Sequence, residues 1–352
     1  MNLSTYIEKK GGRISFADFM NQALYHPKIG FYRSGQVQFG ERGDFITHPD
    51  LCSPYFARAL VRQVASMWNE MDRPDRFDLI EIGAGDGKLI AGILYEAEIE
   101  FPALYDALKV VLVEISPELI RRQQRNILRN HHKKIEFIQG SILDHKWQDV
   151  VGCILSNELF DALPVHKVKN TGGDLAEIYV VWDDKDKYYS EVYGQISDPG
   201  IHEYFQRLRI NLDEGQTFYV NLNSIRLIKN IALAIKQGYH IAIDYGTTAD
   251  HLVDEDLSRL YTFRKKIRGS YPYKDIGKKD MTSTVDFSSL ILAGQEEKLE
   301  KLLYLNEYQY FKHWLGWKRD FDSGYEAHKI LDHFFHDGFK ILIQGKNVPE
   351  LK

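Results

Sequence analysis

FDLIEIGAGDGKLI, residues 77–90, decides how this chain is read. Its first half is a short apolar run of strand length. Gly83, Gly85 and Gly87 then make a tight turn, and the spacing predicts a helix over 88–98. Strand, glycine turn and helix form the unit with which an open α/β sheet begins. Outward from it the same rhythm repeats. Residues 108–114 are almost continuously apolar, as in a strand covered on both faces. A helix is expected over 117–130, with Pro117 near its first turn, and further strands over 135–138, 150–155 and 239–244. The fold class is α/β: a Rossmann-like sheet, mostly parallel, with helices on both faces.

Three regions depart from that rhythm. Residues 1–72 read as an N-terminal helical and lid segment, with helices over 16–24 and 51–71 and a glycine-dotted loop from Gly30 to Gly43 between them. Residues 73–352 read as the main domain. Hairpin signals over 167–193, around Gly172-Gly173 and Asp184-Lys185-Asp186, mark an antiparallel insertion, a substrate cover around 166–235. Residues 249–286 read as a long polar loop, 295–310 and 329–336 as helices, and 339–343 as a last strand.

The composition is that of a globular protein, 44% apolar and 27% charged. A formal charge of −5 offers no basic stripe for nucleic acid. No run approaches the roughly 18 apolar residues that span a bilayer. Cys52 and Cys153 suggest neither a disulfide framework nor a zinc site. The expectation is a cytoplasmic protein without nucleic-acid or membrane partners, its oligomeric state open. His333 and His336 sit three apart, but without a third ligand they read as a polar helix face.

The glycine turn lacks the third-glycine spacing of a dinucleotide fingerprint, and no Gly-Lys-Ser/Thr follows. It resembles the first motif of class I S-adenosylmethionine (SAM)-dependent methyltransferases. That cofactor bears an amine, a carboxylate, a sulfonium and a ribose, but no phosphate. Glu81 and Asp86 suit its cationic groups, and Gly83, Gly85 and Gly87 allow close backbone approach. Glu114, ending the second strand, can accept two ribose hydroxyls, although NAD enzymes use the same device. Ser141 and Ile142, after the third strand, fall where an adenine edge is expected. After the fourth strand, Asn157, Glu158, Phe160 and Asp161 gather two carboxylates and a carboxamide around an aromatic ring.

Longer stretches extend the resemblance. Residues 25–32 (YHPKIGFY), 39–47 (FGERGDFIT), 81–87, 112–119, 157–165 (NELFDALPV), 243–246 and 285–287 are similar to the MidA-like family of class I methyltransferases. The match fades beyond Ser289, and Ala84 and Asp86 replace the family's usual Pro and Arg. The resemblance implies SAM as cofactor, with S-adenosylhomocysteine (SAH) as product, and a protein substrate presenting an arginine that mitochondrial members dimethylate symmetrically. Carboxylates beside an arginine would orient it and hold its charge, so Asn157, Glu158, Phe160 and Asp161 are the catalytic candidates. Asp244 is a weaker third carboxylate. The plainer alternative makes Asp161 a turn cap and Glu158 a solvated residue. Gly43, Asp44 and Phe45 read either as a cofactor lid or as a helix-entry loop. A small-molecule acceptor and a non-catalytic assembly factor stay open as other functions.

Overall fold

The structure, a computed structural model, describes residues 3–35, 37, 40, 43, 54–144, 147–315 and 338–350. The elements are α1 (Leu3–Lys9), β1 (Arg13–Ser15), α2 (Phe16–Tyr25), α3 (Tyr55–Glu70), β2 (Phe77–Ile82), α4 (Lys88–Glu100), α5 (Pro102–Ala107), β3 (Leu108–Glu114), α6 (Pro117–Asn126), β4 (Ile135–Gln139) and β5 (Val150–Asn157). Next come β6 (His166–Thr171), β7 (Asp174–Asp183), β8 (Tyr188–Gly194), α7 (Gly200–Leu208), β9 (Thr217–Val220), α8 (Leu222–Ala234), β10 (Ile235–Thr247) and α9 (Ala249–Asp254). The last are β11 (Leu260–Arg264), β12 (Ile267–Gly269), β13 (Asp280–Ser283), β14 (Val285–Asp286), α10 (Phe287–Glu296), β15 (Glu300–Asn306), α11 (Glu307–Leu315) and β16 (Phe339–Lys346).

The main sheet runs β4-β3-β2-β5-β10-β16-β15. From β4 to β10 every pairing is parallel, and β16 then runs antiparallel between β10 and β15. Its strands alternate their apolar side chains between two covered faces. Leu79, Leu112, Leu155 and Ile241 pack with α3 and α4, while Ile80, Val111, Ile154 and Ala242 pack with α8 and α10. That explains why these strands read as unbroken apolar runs. The chain moves outward from β2 to β3 and β4, then returns to β5 on the other side of β2. At such a reversal the loops leaving the strand ends part and open a crevice.

Two smaller antiparallel sheets sit beside it. One is β1-β7-β6-β9 with β8 on β7, and the other is β12-β11-β13. The N-terminal segment is therefore not purely helical, because Arg13–Ser15 adds a strand to β7. Ser15 then caps α2, its hydroxyl accepting from the Asp18 N–H at 3.1 Å.

Other expectations need correction. Residues 249–286 are not a loop but α9, the three-stranded sheet and β14, short elements with no continuous apolar run to mark them. A helix over 295–310 is replaced by the end of α10, the strand β15 and the start of α11. Lys298, at φ 64°, turns the chain, and β15 then pairs along β16 from Glu300 to Asn306, with a register shift between Lys301 and Leu303. So the segment beyond Ser289 completes the main sheet. The helix expected over 329–336, with His333 and His336, lies outside the described residues, as does Cys52. Cys153 is buried. Among the described residues no helix is long and apolar enough to cross a membrane.

Gly152 of β5 pairs Asp78 on one side and Gly238 on the other. Its φ is 151°, and an added Cβ would lie 2.0 Å from the Asp78 carbonyl oxygen. Gly152→Ala is expected to cost about 2–4 kcal/mol of stability, because backbone on a neighbouring strand cannot give way. A wild-type urea midpoint for that variant would contradict this packing.

Candidate active site

The crevice at the carboxyl ends of β2, β3, β4 and β5 holds a cavity of about 480 Å³. Its floor begins with the glycine turn. Gly83 has φ 70°, and a Cβ there would meet Leu159 Cδ1 at 2.6 Å, so only glycine lets the turn lie against the neighbouring loop. Gly87, at φ 78°, starts α4 and backs onto Gln123, whose Nε2 donates to the Gly85 carbonyl at 2.9 Å. Gly87 thus shapes the turn but does not line the cavity, whereas Gly83 and Gly85 do.

Glu114 locks this end. Its Oε2 accepts from the Gly85 N–H at 3.1 Å and its Oε1 from the Ser116 N–H at 2.9 Å. Burial pushes its carboxyl up to about 7 despite these donors. Glu81 is buried at the foot of the turn, and its Oε2 has no hydrogen-bond partner. Burial first, then the nearby Asp86 and Glu114 charges, push it up to about 8. Asp86 lines the cavity too but already holds a cation, with Lys88 Nζ 3.2 Å away. Ser141 and Ile142 line the far wall beyond β4.

The other end is built by the turn after β5. Asp244 is fully buried on β10, and its Oδ2 accepts from the N–H groups of Leu159 (3.0 Å), Phe160 (2.8 Å) and Asp161 (3.3 Å). Its Oδ1 accepts from the Tyr245 N–H at 2.8 Å. Asp244 is therefore the organiser of the turn, not a carboxylate facing the cavity. The Tyr25 hydroxyl donates to the Ala162 carbonyl at 3.0 Å, and the Ser283 N–H to the Asp161 carbonyl at 2.9 Å. Glu158 takes a left-handed φ of 48°, which a side chain adopts only where the surroundings impose it.

Held in this way, Asn157, Glu158 and Asp161 line the cavity. Phe160 does not: its ring is buried below the turn, edge-on to His240 at 6.1 Å. A phenyl ring so placed anchors the loop and cannot meet a ligand, which corrects its placement among the catalytic candidates. Gly43 does not line the cavity either, its N–H donating to the Gly40 carbonyl, and Asp44 and Phe45 lie outside the described residues.

Sequence reading missed Asp280, Tyr25 and Tyr32 at this end. Asp280 accepts from the Tyr32 hydroxyl at 2.8 Å, and Tyr25 stacks on Tyr32 with ring centroids 5.7 Å apart. Burial pushes Asp280 up to about 6. Asp161 is held well above the usual carboxylate range, by burial and then by the charges of Asp244, Asp280 and Glu158. The two tyrosines stood inside a matched stretch, but Asp280 lay in a segment read as loop and had no pattern to mark it. Tyr261, Phe263 and Arg268 of the small sheet roof the cavity.

A family model described as "Putative S-adenosyl-L-methionine-dependent methyltransferase" matches residues 59–305. The chain belongs to this family. A mitochondrial protein arginine methyltransferase NDUFAF7 homolog of Drosophila melanogaster is 25% identical over 307 residues, 78% of this chain and 65% of that protein. Human protein arginine methyltransferase NDUFAF7, mitochondrial, is 31% identical over 197 residues, 50% of this chain and 43% of that protein. The chain therefore spans less than two thirds of these relatives. A crystal structure of a superfamily member from Burkholderia thailandensis bound to S-adenosyl-homocysteine superposes with a TM-score of 0.85 at 23% identity, over 99% of this chain and 91% of that one. That likeness establishes the fold.

Raised carboxyls set a pH dependence. Glu81 (about 8), Glu114 and Asp244 (about 7) bind protons more tightly folded than unfolded, so their contribution to stability falls as pH rises toward those values. Buried His240, lowered to about 4, acts oppositely but only below its ordinary value near 6.5. Between pH 6.5 and 8 the ligand-free protein should therefore lose stability, and Glu81→Gln should flatten the slope. Denaturant midpoints across that window check this; a rising midpoint would contradict it.

Proposed function

We propose that this chain transfers a methyl group from SAM to a guanidinium nitrogen of an arginine in a protein, in the cytoplasm. The observation that carries the proposal is the convergence of Glu158, Asp161 and Asp280 at one end of the cavity. Among the described lining residues the cations are Lys88, held by Asp86, and Arg268, stacked on Tyr261 with its Cζ 4.2 Å from the ring centroid. Mutual repulsion among these carboxyls, two of them buried, is relieved by a cation brought in from outside. Guanidinium fits best, since it keeps its charge, offers five donors in a plane and packs flat on tyrosine rings.

The residues at the opposite end fit SAM. Glu81 Oε2 is a buried acceptor awaiting a donor, which an ammonium supplies. Glu114 has remaining lone pairs for ribose hydroxyls, and Gly83 and Gly85 leave room for close backbone approach. When bound, SAM supplies an electrophilic methyl group on a sulfonium sulfur and is left as SAH. Glu158 and Asp280 hold the guanidinium charge on the nitrogens that do not react, and the tyrosine pair fixes its plane. Asn157 Oδ1, buried and without a partner, accepts from another N–H. The nitrogen that gains the methyl loses one proton, which Asp161, with its raised affinity for protons, accepts.

Calorimetry with SAM, SAH and NAD tests the cofactor assignment: the first two should bind, and binding of NAD alone would overturn it. Glu114→Ala should weaken SAM by about tenfold or more. Glu158→Gln should keep SAM affinity while turnover falls by about a hundredfold, the scale of losing one electrostatic partner of a transition state. Unchanged turnover in Glu158→Gln would remove Glu158 from the mechanism.

A further inference from the structure

The roof of the cavity carries charge opposite to its interior. Over residues 264–279 the basic side chains are Arg264, Lys265, Lys266, Arg268, Lys274, Lys278 and Lys279, and the one acid, Asp275, pairs with Arg264. This lies within a chain of formal charge −5. Lys265, Lys266, Arg268 and Lys274 are exposed.

The backbone presents this charge deliberately. β11 and β12 pair with Arg264 opposite Ile267, so Lys265 and Lys266 are the whole turn of the hairpin. Both have positive φ, 48° and 64°, in a turn where Asn-Gly is the usual low-strain solution. Two lysines are thus kept at the tip in a conformation that disfavours them. The register also sets Arg268 opposite Phe263, so the face that turns Tyr261 and Phe263 into the cavity turns Arg268 there too. Ile267, 74% exposed, and Tyr271, 55% exposed, add apolar area beside the charges.

We infer that this hairpin is the docking surface for an acidic stretch of the substrate protein next to the methylated arginine. The inference rests on the arginine reading of the cavity. A segment with one arginine and neighbouring Asp or Glu residues matches both fields at once, its cation among Glu158, Asp161 and Asp280 and its anions under the lysines. A nucleic acid or anionic membrane matches the roof alone and is repelled by the carboxyls behind it. Rim charges act mainly on encounter and register, so the preference belongs chiefly in KM and weakens with salt.

The test uses peptides bearing one arginine flanked by either glutamates or glutamines, with labelled SAM. At low salt the glutamate peptide should show about tenfold higher kcat/KM, as expected when a few exposed pairs each contribute two- to fivefold. Raising the ionic strength should close the gap, and the double variant Lys265→Glu/Lys266→Glu should abolish or reverse it. A SAM-induced thermal shift in that variant shows that it is folded. Equal kcat/KM for the two peptides, or a preference that survives the double reversal, overturns the inference while leaving arginine methylation intact. If neither peptide is labelled, the arginine reading fails, and fluorescence anisotropy of the same peptides with alanine in place of arginine then decides. Tighter binding of the glutamate form to wild type than to the double variant sustains the surface; equal binding overturns it, as does displacement by an RNA oligomer or phosphatidylserine vesicles.

Discussion

One buried carboxylate holds the site together. Asp244 gathers the N–H groups of Leu159, Phe160 and Asp161 on a single oxygen, and this forces the chain to reverse as it leaves β5. Backbone donors within the protein otherwise need ladder or cap partners, so their capture by one side chain fixes a turn that has neither. The Phe160 ring, driven into the core between β10 and the loop, anchors the same turn from beneath. With the ring facing down, Glu158 and Asp161 face the cavity. Desolvating Asp244 is costly, and its carboxyl is pushed up to about 7 even with four N–H donors. The fold tolerates that cost where it positions chemistry.

The consequence is a cavity organised in advance of its ligands. One end offers Glu81 and Glu114 beside the glycine turn, and the other offers Glu158, Asp161 and Asp280 beside two stacked tyrosines. Among the described residues, both ends have fewer cations than carboxyls. A bound cation at each end removes repulsion that the folded protein already bears, so its electrostatic reward is larger than in water. The proposed transfer places a cationic donor at one end and a cationic acceptor at the other. The carboxyl-rich lining is what allows two positive groups to approach each other.

Much of this could be read in the chain before any coordinates. Residues 77–90 announced β2, the turn and α4, because unbroken apolar strands and closely spaced glycines have few other physical explanations. Asn157, Glu158 and Asp161 were visible because polar residues at the mouth of a buried strand are anomalous. Phe160 misled because sequence shows that an aromatic ring is near the carboxyls but not which way it points, and alternation at a sharp turn sends it inward. Asp280 and the roof were hidden because β11, β12 and β13 are short and mix polar with apolar residues, so no apolar period marks them. β15 was hidden because its mixture of charged and apolar residues also suits a helix, and only the β16 edge waiting for a partner makes it a strand. Asp244 looked like a site residue for good reason, since it stands at the end of a central strand, yet its work is done through the backbone of its neighbour.

The central claim is that the carboxyl end of the cavity accepts arginine. It is tested most directly by incubating the protein with cell extract and methyl-labelled SAM, hydrolysing the labelled protein in acid, and identifying the methylated amino acid. The account predicts label in protein, recovered as methylarginine and reduced to background with Glu158→Gln. Label found only in small molecules, or in protein on a residue other than arginine, would contradict it.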